Sequence, residues 1–225
     1  MADYQYKNDG KLHTRYSELI RCTPGQIDRV LDERSGLVTR FEGDSMLDGT
    51  MRHEMWQEEA EKSLQVPKCF GLDWPVTHVE HEFATEILPG VIVHSRPDLV
   101  CGTVGIVPDY KTVVDGVNGW QKNLKSYGWR PVYDKQGKII GDAVVPSSKQ
   151  RQLKFYAYQV GLHGIRIKEG AFLCEIWNKD HTAILDYKIV RFPITMKDMR
   201  EAIGWAKPRI ALLTVALEDI KHAKV

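Results

Sequence analysis

Two carboxylates and one lysine lie close together in this 225-residue sequence, on segments typical of neighbouring short strands. Pro97-Asp98 lies in one apolar run, and Asp109-Tyr110-Lys111 lies in the next. Because residues two apart in a strand point to the same face, Asp109 and Lys111 project together and Tyr110 points away. Two carboxylates can bind a hard divalent cation, and an adjacent ammonium can stabilise an oxyanion or orient a water. The set predicts metal-dependent hydrolysis of phosphodiesters.

The spacing of an acid two residues before a lysine is weak evidence by itself. It also occurs at 9–11, 186–188 and 219–221, and a chain of ordinary composition contains about one or two such pairs by chance. Only the copy at 109–111 follows a Pro-Asp at hairpin distance. We therefore interpret Asp186 and Lys188 as a solvated strand face.

A predicted helix over about 44–62 brings a histidine toward these carboxylates. Gly49, His53, Trp56 and Ala60 are spaced by four, three and four residues, so they share one face. A histidine on an apolar helix face is usually a core residue, but beside carboxylates a neutral imidazole can bind a metal ion. We therefore expect His53 to point toward the acids.

A second helix, which begins near Ser147, carries polar and basic groups. Gln152 and Tyr156 lie one turn apart on the same face. They could be ordinary, partly buried helix residues, or they could reach a phosphate, a base or water at a metal site. Positive charge on the same helix suits a polyanion and comes from Lys149, Arg151 and Lys154.

Together these segments resemble the PD-(D/E)XK nuclease superfamily, and within it the RecB-like exonuclease branch. The matching segments are Gly49–Glu54, Pro97-Asp98, 107–112 and Gln152–Tyr156, in the family's order between 16 and about 220. The resemblance implies an α/β fold with a restriction-endonuclease-like core, in which helices flank a central mixed β-sheet. We expect a single domain over 1–225.

The resemblance also assigns roles to residues. It implies metal ligands at His53, Asp98, Asp109 and the backbone carbonyl of Tyr110, a catalytic lysine at Lys111, and a DNA path lined by Gln152 and Tyr156. Some members add a glutamate on the first strand. Glu80 and Glu82 both lie in the predicted strand 77–87 and face the same side, so either could take that place. Pro108 cannot donate to a sheet ladder and indicates an edge or a bulge.

The implied activity is that of a deoxyribonuclease that uses Mg²⁺ or Mn²⁺. The branch favours exonuclease or end-processing action on single-stranded DNA, as in enzymes encoded by phages and mobile elements, with a helicase or recombination protein as partner. One alternative is a structure-specific or sequence-specific endonuclease. Another is a non-catalytic DNA-binding subunit, although DNA binding alone does not require the whole set of His53, Asp98, Asp109 and Lys111.

Some relatives, the CRISPR-associated adaptation nucleases and AddB-type subunits, hold an iron-sulfur cluster on one early cysteine and three late ones. Cys22 has the early position, but no cysteine follows Cys174, so we predict no such cluster. Four scattered cysteines, no apolar run of membrane length and no secretory segment indicate an intracellular setting without a membrane. The net charge of +1 requires any DNA-binding surface to be local.

A long connection at about 114–146 separates the lysine motif from the second helix and is expected to form an inserted lid or loop. Its aromatic residues, Trp120, Trp129 and Tyr133, could stack on unpaired bases, with phosphate contacts from nearby lysines. Alternatively, they could form the lid's own small core. The other expected elements are strands at 77–87, 91–100 and 105–113, a hairpin of 171–177 and 183–192, and a last helix that begins at Thr195 and is capped by Asp198.

Overall fold

The computed structural model describes residues 9–36, 44–115 and 119–223, of which 44–50 and 220–223 are described by backbone alone. The α-helices are α1 (Tyr16–Leu19), α2 (Ile27–Ser35), α3 (Asp44–Ser63), α4 (Trp120–Lys125), α5 (Gln150–Leu162) and α6 (Met196–Ala223). The strands are β1 (Leu12–Arg15), β2 (His78–Val79), β3 (Phe83–Leu88), β4 (Val91–Ser95), β5 (Leu99–Val100), β6 (Ile106–Val114), β7 (Trp129–Tyr133), β8 (Ile139–Val144), β9 (Glu169–Trp177) and β10 (Ile184–Pro193). Within these described ranges, no helix combines the length and the apolar character that a membrane span needs.

Two three-stranded mixed sheets form the centre of the fold. One has the order β1-β4-β3, with β1 parallel and β3 antiparallel to β4. The other has the order β10-β9-β6, with β6 parallel and β10 antiparallel to β9. Helices flank both sheets, so the expected α/β class with mixed strands and flanking helices is confirmed.

Strand β6, which carries the lysine motif, lies at the edge of its sheet. Pro108 is in the middle of this strand and pairs with Ala171 of β9. An edge strand tolerates proline because its second side needs no ladder hydrogen bond. The position of β6 at the sheet edge therefore agrees with what Pro108 indicates.

Two of the expected strands are broken, and both breaks occur beside acidic residues. The segment 77–87 divides into β2 and β3, because Glu80 has a left-handed backbone (φ 45°) that a strand cannot accommodate. The segment 91–100 divides into β4 and β5 around Pro97. Asp98 lies in that gap, and its carboxylate accepts a hydrogen bond from the backbone N–H of Tyr110 (2.6 Å). Glu80 and Glu82 therefore do not lie within a strand.

The core has two clusters of buried apolar side chains. The larger one joins the inner faces of α5 and α6 to both sheets, and it includes Phe155, Phe172 and Ile210. The smaller one packs α3 against β6 and β9 around Trp56 and Tyr110. Packing of α3 on β6 fixes the helix that carries His53 beside the strand that carries Asp109 and Lys111.

Candidate metal centre and active site

Three side chains from separate segments form a cluster suited to a metal ion. His53, Glu80 and Asp98 each offer a ligand atom, and these atoms lie within 4.8 Å of one another. Nε2 of His53 is 2.7 Å from Oε1 of Glu80 and 3.7 Å from Oδ1 of Asp98. Carboxylate oxygens and an imidazole nitrogen suit a divalent cation such as Mn²⁺ or Mg²⁺. We call this set the three-residue cluster.

Aromatic packing orients His53. Trp56 and Ala60 on the same face of α3 are buried, as their spacing predicts. The ring of Tyr110 meets His53 edge-on with centroids 5.6 Å apart and packs on Trp56 at 4.8 Å. The Tyr110 side chain therefore points away from Asp109 and packs between His53 and Trp56, which holds the imidazole in place.

The structure separates the two candidate glutamates. Glu80 lies between β2 and β3, where its N–H donates to the carbonyl of Asp98 (3.0 Å) and its carboxylate meets His53. Glu82 instead places Oε1 2.8 Å from Nδ1 of His94. The other ring nitrogen of His94, Nε2, shares a 2.7 Å hydrogen bond with Nδ1 of His13. Glu80 belongs to the three-residue cluster, and Glu82 belongs to the neighbouring histidine pair.

Asp109 and Lys111 project together from β6, and Nζ of Lys111 is 2.5 Å from Oδ2 of Asp109. Burial lowers the pKa of Lys111, but the charges of Asp109 and Asp98 outweigh it, so the net shift is upward and the ammonium stays charged. Burial and the charge of Asp109 raise the pKa of Asp98 to about 7. Two buried carboxylates are thus crowded together, an arrangement that a cation stabilises.

The pKa of His53 shows the same concentration of negative charge. Burial lowers this pKa, whereas the hydrogen bond with Glu80 and the charge of Asp98 raise it, and the net shift is upward. A cation that binds the three-residue cluster must therefore compete with the proton on His53.

A cavity of about 530 Å³ opens onto the three-residue cluster. Its wall brings together segments that are distant in sequence: Arg15, Tyr16, Ser17, His53, Glu54, Gln57, Glu80, Glu82, His94, Ser95, Arg96, Asp98 and Tyr156. Sequence reasoning missed Arg96, whose Nε is 2.5 Å from Oε2 of Glu80. Its only local signal is that it directly precedes Pro97-Asp98.

Helix α5, which carries Gln152 and Tyr156, contributes side chains to two separate cavities. Tyr156 is buried against the cavity and accepts a 2.6 Å hydrogen bond from Nε2 of Gln152. Arg151 stacks on Trp205 of α6 (4.8 Å to the ring centroid), and Lys154 pairs with Asp198 at 2.6 Å. These two basic side chains line a separate cavity between α5 and α6, so they are not brought to the three-residue cluster.

The connection after β6 contains α4 and the β7-β8 hairpin. Trp129 is 3% exposed, packs on Trp120 (5.4 Å between centroids) and donates through Nε1 to Asp142. Tyr133, near the hairpin tip, is 56% exposed. Trp129 belongs to the larger core cluster and Trp120 packs against it, so these two rings do not form a separate core of the insert. Tyr133 remains exposed and is available for stacking.

Comparisons with known proteins place this arrangement in a known fold. No family model and no curated protein matches the sequence. An alkaline exonuclease, LHK-Exo from Laribacter hongkongensis, has a TM-score of 0.52 at 14% identity, over 96% of this chain and 93% of that chain. Its complex with dAMP gives a TM-score of 0.53 at the same identity and coverage. A phage-related exonuclease from Haemophilus somnus 129PT gives 0.51 at 10% identity, over 92% and 96%. At such identities the likeness establishes the fold, which is of the restriction-endonuclease type.

Proposed function

We propose that this chain is a metal-dependent nuclease that hydrolyses phosphodiester bonds in DNA. The observation that carries the proposal is the three-residue cluster next to the buried Asp109–Lys111 pair. Hard ligands beside a charged lysine suit metal-assisted hydrolysis of phosphodiesters. The fold shared with proteins described as exonucleases supports the same class of activity.

The residues present fit a divalent cation. His53, Glu80 and Asp98 would hold it. Asp109 is a further proposed ligand because its charge acts on Asp98, and the carbonyl of Tyr110 is proposed from the family resemblance. The raised pKa of Asp98 is what an acidic site without its cation should have. When bound, Mg²⁺ or Mn²⁺ would polarise a phosphate oxygen and lower the pKa of a coordinated water.

The chain's own residues would do the rest. Lys111 keeps its positive charge beside Asp109 and Asp98. It would stabilise the charge that develops on the phosphate, or orient the attacking water. Asp109 fixes the ammonium in place at 2.5 Å. Tyr156 lies in the cavity wall and accepts a hydrogen bond from Gln152, and these two side chains would line the path of the DNA strand.

Within this class we propose exonuclease or end-processing action on single-stranded DNA, as in the RecB-like branch. The support comes from the sequence motifs and from the neighbours that are described as exonucleases. End-labelled linear and circular single strands, incubated with Mn²⁺, test this directly. Linear DNA should be degraded and circular DNA should survive. Cleavage of circles would favour an endonuclease instead, and binding without cleavage of either would favour a non-catalytic DNA-binding subunit.

A further inference from the structure

A second lysine is held on the same face of the sheet as the Asp109–Lys111 pair. Asp109 pairs with Phe172 across the parallel β6-β9 ladder, so their side chains share a face. Tyr127 packs on Phe172 with ring centroids 4.9 Å apart. Nζ of Lys149 lies 3.5 Å from the hydroxyl of Tyr127 and 4.6 Å from its ring centroid. Tyr127 thus connects Lys149 to the face that carries the lysine motif.

Electrostatic coupling agrees with this placement. Burial raises the pKa of Tyr127 to about 12, which keeps its hydroxyl neutral, and the charges of Lys111 and Asp109 both act on it. Burial lowers the pKa of Lys149, the charge of Lys111 lowers it further, and the charge of Asp109 raises it, with a net shift downward. The two ammonium groups therefore act on each other across Tyr127.

The position of Lys149 is fixed by the next residue, Gln150, which is 2% exposed. Its Nε2 donates to the carbonyls of Tyr127 (3.2 Å) and Val145 (3.0 Å), so it ties the start of α5 to both ends of the hairpin insert. Gly128 permits this close approach, because a Cβ there would collide with the Val145 carbonyl and lie 2.5 Å from Nε2 of Gln150. The buried Gln150 side chain therefore fixes the backbone position of Lys149.

The charge on Lys149 lacks the compensation that its neighbours have. Lys111 pairs with Asp109 and Lys154 pairs with Asp198, whereas no ion pair of Lys149 occurs in the part of the chain that the structure describes. An ammonium held over an aromatic ring, near a like charge and without an ion pair, gains stability when an anion binds. In a DNA strand that anion is the backbone phosphate.

We propose that Lys149, supported by the ring and hydroxyl of Tyr127, binds a backbone phosphate of the DNA strand that enters the Asp109–Lys111 site. This inference rests on the proposed nuclease function and adds a substrate contact to it. Lys149 is exposed to solvent, so a phosphate can reach it, and its contact with Tyr127 already orients the side chain before binding.

The test compares wild type with Lys149→Met, Lys149→Arg and Tyr127→Phe, and uses Lys207→Met on the solvent-exposed side of α6 as the control. Binding of labelled single-stranded DNA is measured in Ca²⁺ over a range of salt concentrations, and KM and kcat are measured in Mn²⁺. Lys149→Met should weaken binding about tenfold and reduce the slope of log K against log salt by about 0.7, the value for one single-strand phosphate contact.

Lys149→Arg should retain the slope, and Tyr127→Phe should lose affinity without losing slope, because only the supporting hydroxyl is removed. Thermal unfolding of each variant should match wild type. If Lys149→Met, like Lys207→Met, leaves affinity, slope and KM unchanged while wild type binds DNA, the inference is overturned and the nuclease proposal stands. If wild type neither binds nor cleaves DNA, both are overturned.

Discussion

Asp109–Lys111 and Asp186–Lys188 form the same ion pair in two different surroundings. The Nζ to Oδ2 distances are 2.5 and 2.8 Å, but the Asp109 side chain is 3% exposed and that of Asp186 is 43% exposed. Electrostatic interactions are much stronger where water is excluded. The ion pair itself therefore does not identify an active site. What distinguishes Lys111 is that its partner Asp109 is buried next to Asp98.

Removal of each lysine tests this contrast. Lys111→Ala should lower turnover by about 10²- to 10⁴-fold, because a positioned proton-transfer or cationic group contributes that much. Lys188→Ala should leave turnover within about twofold, since Lys188 lies on β10, across β9 from Lys111, and pairs with the more exposed Asp186. Single-turnover cleavage in Mn²⁺ measures both. Equal effects of the two substitutions would mean that the active site has been assigned to the wrong strand.

The sequence does not distinguish Glu80 from Glu82 as a ligand, although it does predict which residues share a face of α3. The face shared by His53, Trp56 and Ala60 followed from helical spacing, because a helix repeats regularly. The choice of Glu80 over Glu82 did not follow, because it depends on a left-handed residue at 80 that interrupts the alternation of a strand. Arg96 was missed for a similar reason, since its contact with Glu80 depends on the tertiary fold.

Among the elements, the β7-β8 hairpin divides its aromatic residues between a buried base and an exposed tip. Trp129→Ala should lower the free energy of unfolding by about 3–5 kcal/mol, the usual cost of truncating a buried aromatic side chain. Tyr133→Ala should leave stability nearly unchanged and weaken single-strand binding by about 1–3 kcal/mol if the exposed ring stacks on bases. Urea unfolding and DNA binding in Ca²⁺ separate the two effects. Normal DNA binding by Tyr133→Ala would remove the hairpin tip from the DNA path.

At the start of α6, Thr195 and Asp198 cap the helix by hydrogen-bonding to each other, and this cap makes the free energy of unfolding depend on pH. The backbone N–H and hydroxyl of Thr195 donate to Asp198 at 2.9 and 2.6 Å, and the N–H of Asp198 donates back to the hydroxyl. Burial alone would raise the pKa of Asp198, but hydrogen bonds from Lys154 and Thr195 lower it from 3.8 to about 2. The folded state thus favours the carboxylate, as expected for a helix N-terminus.

This lowered pKa fixes the sign of the pH dependence. The contribution of Asp198 to stability is fully present above the unfolded-state pKa of 3.8 and is lost as the pH falls toward about 2. Asp198→Ala should cost about 1–2 kcal/mol at pH 7. The difference from wild type should shrink between about pH 4 and pH 2, as followed by urea unfolding. A difference that does not vary with pH would show that the carboxylate charge is not the stabilising feature.

At the scale of the whole molecule, the order of motifs along the chain was enough to predict an α/β fold with mixed strands. Hydrophobic alternation located the hairpin of β9 and β10, and Pro108 indicated the edge position of β6. It could not show that the strands divide into two three-stranded sheets, because that division depends on long-range pairing such as β1 with β4. The three-residue cluster is a product of this topology, since α3, the β2-β3 turn and the segment before β5 each supply one ligand.

The central claim is that His53, Glu80 and Asp98 hold the metal ion on which cleavage depends. Calorimetric titration with Mn²⁺ tests it most directly, with wild type, Asp98→Asn, Glu80→Gln and, as the matched control on the same cavity, Glu82→Gln. The account predicts one strong site in wild type and Glu82→Gln, and a loss of affinity of about tenfold or more in the other two variants. Wild-type affinity in Asp98→Asn and Glu80→Gln would contradict it.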